Sequence, residues 1–152
     1  MRAGGRYVDH FHEMVRIVEG LGHDALSELS TTVKWAPGLT GRTAGADGRQ
    51  MASREGPDIG DDYIYSRDMH WLEKADALVA EVSAPSLGVG YEISCALHIR
   101  RIPVLCLVHA GVQNLSAMIA GNGSPGLRLE RYGPENAMQE VIQSFLCDVM
   151  MP

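Results

Sequence analysis

The sequence predicts an α/β fold, a doubly wound Rossmann-like parallel sheet in three layers, and two observations carry that prediction. Continuous apolar runs of strand length, Ala77 to Val82 (ALVAEV) and Pro103 to Val108 (PVLCLV), alternate with segments of helical period. Strands that are apolar along their whole length belong in a parallel sheet, with helices covering both faces. The second observation is the handover from Val82 through SAPSLGVG to Tyr91-Glu92, where a strand ends in a Pro/Ser/Gly turn and leads into a helix. Ligands of open α/β sheets bind beyond the carboxyl ends of the strands, at turns of this kind.

The elements follow in order. Val8, Phe11, Val15 and Val18 recur at helical spacing and predict a helix from Val8 to Leu21, stopped by Gly22. Ala25 to Leu29 reads as a short strand. From Lys34 to Gly60 there is no period, and six glycines and two prolines punctuate the stretch, which predicts a disordered insertion. Asp61 or Asp62 caps a helix running to about Lys74. Ala77 to Val82 is a strand, Tyr91 to Arg100 a helix, Pro103 to Val108 a strand, and Leu115 to Ala120 a short helix. Leu127 to Arg131 forms the last strand. Glu135 to Val149 closes the chain as a helix with Met138, Val141, Ile142, Phe145 and Val149 on one face. The whole of 1–152 is one domain.

Length and composition bound the function. A chain of 152 residues with 45% hydrophobic and 21% charged residues suits a single globular domain, and its net charge of −6 argues against a binder of nucleic-acid polymer. No apolar run approaches the roughly 20 residues of a membrane span, and the start Met1 to Arg6 is no secretory signal. Cys95, Cys106 and Cys147 are odd in number, lack CxxC spacing and read as buried free thiols. A soluble protein of the cytoplasm or nucleus is expected. The six histidines show no metal-ligand spacing beyond His10 and His12, which diverge on a helix, so no metal site is expected.

Two carboxylates stand out. Glu92 follows a turn in which Gly88 and Gly90 permit close backbone approach and Ser86 offers a hydroxyl, so a carboxylate sits beside an anion site. The bland reading is an acidic residue favoured by the helix dipole. Asp68 falls with Ile64 and Leu72 on the apolar stripe of its helix, where a charge needs a partner or a polar cavity; its bland reading is a salt-bridged aspartate at a helix edge. Asn114 to Met118 reads as a helix cap followed by a buried methionine.

These residues together resemble a known family. RDMHWLEKADALVAEVSAPSLGVGYEI, followed by RRIPVLCLV and NLSAMIAG and preceded by RAGGRYVDHFHEMVRIVEGLG, is similar to the 2'-deoxynucleoside 5'-monophosphate N-glycosidases of the nucleoside 2-deoxyribosyltransferase superfamily. The resemblance spans Arg2 to His23 and Arg67 to the C-terminus. It implies hydrolysis of deoxynucleoside monophosphates to free base and 2-deoxyribose 5-phosphate, a homodimer, and no cofactor. By the same resemblance Glu92 is the nucleophile and Asp68 orients the sugar and assists proton movement. Ser86, Gly88, Gly90 and the loop of Arg2, Gly4, Gly5 and Arg6 cradle the 5'-phosphate, while Ser116 and Met118 complete the neighbouring subunit's site. Deoxyribosyl transfer between bases and a non-catalytic nucleotide-binding form are the alternatives. The family's strand order 2-1-3-4-5 has a central first strand, carrying a tyrosine, that this sequence does not contain. The resemblance therefore implies a vacancy between Ala25–Leu29 and Ala77–Val82, and an aggregation-prone or partly folded chain unless another segment fills it.

Overall fold

The computed structural model describes residues 8–26, 32–36 and 60–151. Helix α1 (Val8–Gly20) leads through β1 (Asp24–Leu26) and β2 (Thr32–Ala36) to α2 (Asp61–Lys74) and β3 (Ala77–Glu81). Then follow α3 (Leu87–Ser94), β4 (Val104–His109), the four-residue α4 (Ala117–Ala120), β5 (Leu127–Tyr132) and α5 (Met138–Met150). Among the described residues five strands form one sheet, in the order β1-β2-β3-β4-β5. Strands β3, β4 and β5 are parallel, whereas β2 runs antiparallel to both of its neighbours.

Helices cover both faces of the sheet, as the apolar runs require. Val79, Leu105 and Leu107 point to one face, against Met14 and Val18 of α1 and Ile142 and Phe145 of α5. Their alternates Leu78, Ala80, Val104 and Cys106 point to the other, against Leu72 of α2 and Ile93 of α3. All five residues of β3 are buried. At roughly 25 cal/mol per Å² of apolar surface removed from water, this two-sided burial is the main source of stability.

The central vacancy is filled. Thr32–Ala36 lies between β1 and β3, with Thr32 opposite Ala80 and Trp35 opposite both Ala77 and Ala25. An antiparallel neighbour satisfies the N–H and C=O groups along β3 as fully as a parallel one. The expected gap is therefore corrected, and with it the expectation of a wholly parallel sheet. The insertion expected from Lys34 also needs correcting at its start, since Lys34 to Ala36 belong to β2; residues 37–59 lie outside the described ones.

Local chemistry explains the boundaries. Gly22, at φ +85°, ends α1 in a left-handed turn that donates from Gly22 N to Glu19 O (2.9 Å) and from His23 N to Val18 O (3.3 Å). Burial there holds the His23 pKa below its ordinary value, with Asp24 opposing the shift. Gly60, not Asp61 or Asp62, is the cap of α2, and the two aspartates occupy its first turn, where the dipole favours them. At the other end Arg100 donates to Glu73 O (2.6 Å) and Leu72 O (3.4 Å), satisfying terminal carbonyls of α2. Helix α3 begins at Leu87, earlier than the expected Tyr91, and continues as a π-helical stretch, Cys95–Arg100, ended by Arg101 at φ +55°.

No described helix is long and apolar enough to cross a membrane. Cys95 and Cys106 are buried, and burial pushes the Cys106 thiol up to about 12. Cys147 is exposed, contrary to expectation, because it lies on the outer face of α5. In the folded protein a neutral thiol reagent is expected to modify Cys147 fast and Cys106 only on unfolding. Peptide mass mapping with and without denaturant checks this.

Candidate active site

The turn after β3 delivers two groups of residues to opposite sides of α3. Ser86 is the cap of α3, and its Oγ accepts from Val89 N at 3.4 Å. One side of the helix, with Ser86, Gly90 and Ile93, lines a cavity of about 390 Å³ together with Ser116, Met118 and Ile119. The sequence-predicted Ser86, Gly90, Ser116 and Met118 thus meet in one place. Glu92, Asp68 and Gly88 do not line that cavity.

Glu92 occupies the second turn of α3 and is only 5% exposed. A buried carboxylate costs several kcal/mol of desolvation unless it is paired, so its inward placement demands more than the dipole preference of a surface residue. Asp68, in the middle of α2, is also withdrawn from solvent, its side chain 15% exposed. Its Oδ1 accepts from both Nε and Nη2 of Arg67, each at 3.1 Å, and the buried Arg67 guanidinium lies 4.8 Å over the Trp71 ring. The salt-bridged reading of Asp68 is therefore realised, and it fixes the carboxylate rather than displacing it from a site. Arg67 escapes sequence reasoning because adjacent residues on a helix do not face each other.

Two tyrosines tie the helices bearing these carboxylates together. Tyr65, one turn before Asp68, and Tyr91, beside Glu92, bring their hydroxyls to 3.3 Å. The hydrogen bond to Tyr65, then that to Cys95, pushes the Tyr91 phenol up to about 12.

Gly88 and Gly90 lie inside α3, not in the turn before it, and are not needed by the chain's own packing. A Cβ on Gly88 meets nothing closer than Ser86 Oγ at 4.0 Å, and one on Gly90 meets nothing within 4 Å. Ser116 caps α4 through its backbone alone, with no side-chain cap bond. Met118 is 81% exposed and Leu87 96%, so the expected buried methionine is an exposed one, and the cavity is rimmed by apolar surface. Arg2, Gly4, Gly5 and Arg6 lie outside the described residues. Among the described residues no cluster of three or more His, Cys, Asp or Glu side chains could hold a metal ion.

A second polar cluster, absent from the sequence reading, sits at the carboxyl ends of the parallel strands. Glu81 ends β3, His109 ends β4 and Tyr132 ends β5, and His10 of α1 reaches the same place. Its one sequence signal is a lone carboxylate inside ALVAEV, submerged in the apolar run.

No protein-family model matches the chain. A protein of Syntrophotalea carbinolica, provisionally named 2'-deoxynucleoside 5'-phosphate N-hydrolase 1, is 35% identical over 153 residues, covering 100% of this chain and 93% of that protein. The protein of the same name from Methanosarcina mazei is 48% identical over 83 residues, 55% of this chain and 50% of that protein. The 5-hydroxymethyl-dUMP N-hydrolase of Esox lucius is 34% identical over 121 residues, 77% of this chain and 80% of that protein.

Proposed function

Because the chain belongs to the 2'-deoxynucleoside 5'-phosphate N-hydrolase family, we propose that it is a glycosidase cleaving the N-glycosidic bond of 2'-deoxynucleoside 5'-monophosphates, with Glu92 as nucleophile. A Glu92 carboxylate oxygen attacks the anomeric carbon as the bond to the base nitrogen breaks, and the base anion takes up a proton from solvent with the help of Asp68, a proton that the hydrolysing water later gives back. Water then hydrolyses the glycosyl ester to 2-deoxyribose 5-phosphate and regenerates the carboxylate. A 2'-deoxy sugar lacks the electron-withdrawing hydroxyl, so positive charge develops on it readily and a fixed carboxylate stabilises that charge. Asp68, held by Arg67, orients the sugar and assists proton movement. Ser86 and the glycine-bearing first turn of α3 bind the 5'-phosphate, whose remote binding energy positions the anomeric carbon.

What supports the reading most is the placement of Glu92: a buried carboxylate one helical turn behind the capped, glycine-rich start of α3, beyond the carboxyl end of a parallel strand. Incubating the purified chain with each deoxynucleoside monophosphate and measuring free base tests the activity. Adding a second base separates hydrolysis from transfer, which would yield a new nucleotide in place of the sugar phosphate.

The apolar rim of Leu87 and Met118 supports a homodimer, since exposed apolar surface of this kind marks protein contacts. Ser116 lines a cavity with Ser86 of its own chain, and in such a dimer it would reach across the contact to complete the partner's phosphate site. Ser116→Ala is expected to raise KM for monophosphates, and mixing it with Glu92→Gln protein should restore one fully intact site per heterodimer. Turnover in the mixture checks this. No recovery despite demonstrated subunit exchange would place Ser116 in its own subunit's site or outside any site.

A further inference from the structure

Glu81 is 1% exposed and sits in a strand whose other residues are all apolar and buried. An aliphatic side chain would serve the packing of β3 at no desolvation cost, so the charge calls for another explanation. Its carboxylate receives three donor groups. Ser83 N approaches both oxygens at 3.2 Å, Ser83 Oγ donates to Oε1, and Tyr132 Oη donates to Oε1 at 3.1 Å. Tyr132 has one hydrogen and gives it to Glu81, so its 2.6 Å contact with His10 is a bond donated by His10 Nδ1. On the other flank Ser83 Oγ accepts from His109 N at 2.7 Å, and His109 Nδ1 accepts from Gly111 N at 3.0 Å. The His10 and His109 rings stack with centroids 5.5 Å apart.

The network joins pieces that no regular backbone pairing holds together. Ser83 begins the turn that runs to Ser86 and α3, while His10 stands in the first turn of α1. Both ends lie at the carboxyl edge of the sheet, where the proposed phosphate site is. We propose that Glu81 is a positioning residue for phosphate binding. Through Tyr132 and His10 on one side and Ser83 on the other, it anchors the start of the β3–α3 turn to β5 and α1, holding Ser86 and the amino end of α3 in place for the phosphate. This rests on the phosphate-binding role given above to the turn. A buried network of this kind specifies one arrangement of its parts, and removing Glu81 would break the link between α1, joined through Tyr132, and the turn, joined through Ser83.

The test compares Glu81→Gln, Tyr132→Phe and their double variant with the wild-type full-length chain. Each is assayed on a monophosphate and on the same nucleoside without phosphate, and by calorimetry with 2-deoxyribose 5-phosphate and with 2-deoxyribose. Both single variants are expected to raise KM for the monophosphate, and Kd for the sugar phosphate, by about tenfold or more. They should leave kcat within about threefold, and the unphosphorylated ligands should be unaffected; the double variant should be no worse than either single one. His10→Asn, which keeps a donor near the Nδ1 position, should retain binding that His10→Leu loses. Unchanged sugar-phosphate affinity, equal losses with and without phosphate, or additive single effects would each overturn the proposal. If Glu81→Gln does not fold, Tyr132→Phe, which leaves the Glu81–Ser83 contacts in place, decides the matter. A wild-type chain that hydrolyses nothing would sink the hydrolase reading, yet the sugar-phosphate affinities would still judge Glu81. Wild-type protein that binds no sugar phosphate would overturn the Glu81 proposal as well.

Discussion

Glu92→Gln is expected to abolish base release, by at least about 10³-fold in kcat, while nucleotide binding and melting temperature stay near wild type. The amide keeps the shape of the side chain but cannot attack the anomeric carbon or carry the negative charge that stabilises the sugar cation. Because Glu92 is buried, an isosteric replacement is the informative one; truncation to alanine would leave a cavity and confuse chemistry with folding. Asp68→Asn should cost about 10²-fold or more, the scale of a lost proton-transfer group, and it removes the charge that holds Arg67. Steady-state kinetics with thermal melts on the same preparations checks both. A Glu92→Gln enzyme with wild-type rate would eliminate the covalent route.

The second large effect is on stability. Lys34→Pro should destabilise the domain by about 3 kcal/mol or more, because proline removes a ladder donor and distorts a strand interior. For a chain of this length that corresponds to a fall in Tm of about 10 °C. Lys34 is opposite Leu26 on one side and Leu78 on the other, so both neighbours of β2 are affected. Thermal unfolding followed by circular dichroism measures the effect. If Lys34→Pro melted like wild type, Thr32–Ala36 would not be the segment that fills the place between β1 and β3, and the vacancy implied by the family resemblance would stand.

The parts of the fold legible in the sequence are those set by local period. The apolar runs of β3 and β4 and the stripe of Met138, Val141, Ile142 and Phe145 on α5 need no partner to be recognised, because burial on both faces or along one stripe dictates the residue type. Strand β2 was not legible. TVKWA is five residues beside a glycine-rich stretch, and what makes it a strand is its pairing with β3, far along the chain. The start of α3 was hidden because Pro85, Ser86 and two glycines read as a turn, whereas Ser86 acts as a helix cap with Leu87 already in the helix. In the candidate site, the turn and both carboxylates could be singled out by residue type and spacing. The partners that hold them could not: Arg67 binds its own neighbour, and Glu81, Tyr132 and His10 are joined only by the sheet.

The central claim, that this chain breaks the glycosidic bond of deoxynucleoside monophosphates through Glu92, is tested most directly by mass spectrometry of the working enzyme. The full-length protein is mixed with a monophosphate it hydrolyses, quenched in acid within the first turnover, digested and mapped. The expected result is a transient mass increase equal to one 2-deoxyribose 5-phosphate less water on the peptide containing Glu92, absent from Glu92→Gln protein. A burst of free base with that adduct on another residue, or no release of base from any deoxynucleoside monophosphate, would contradict it.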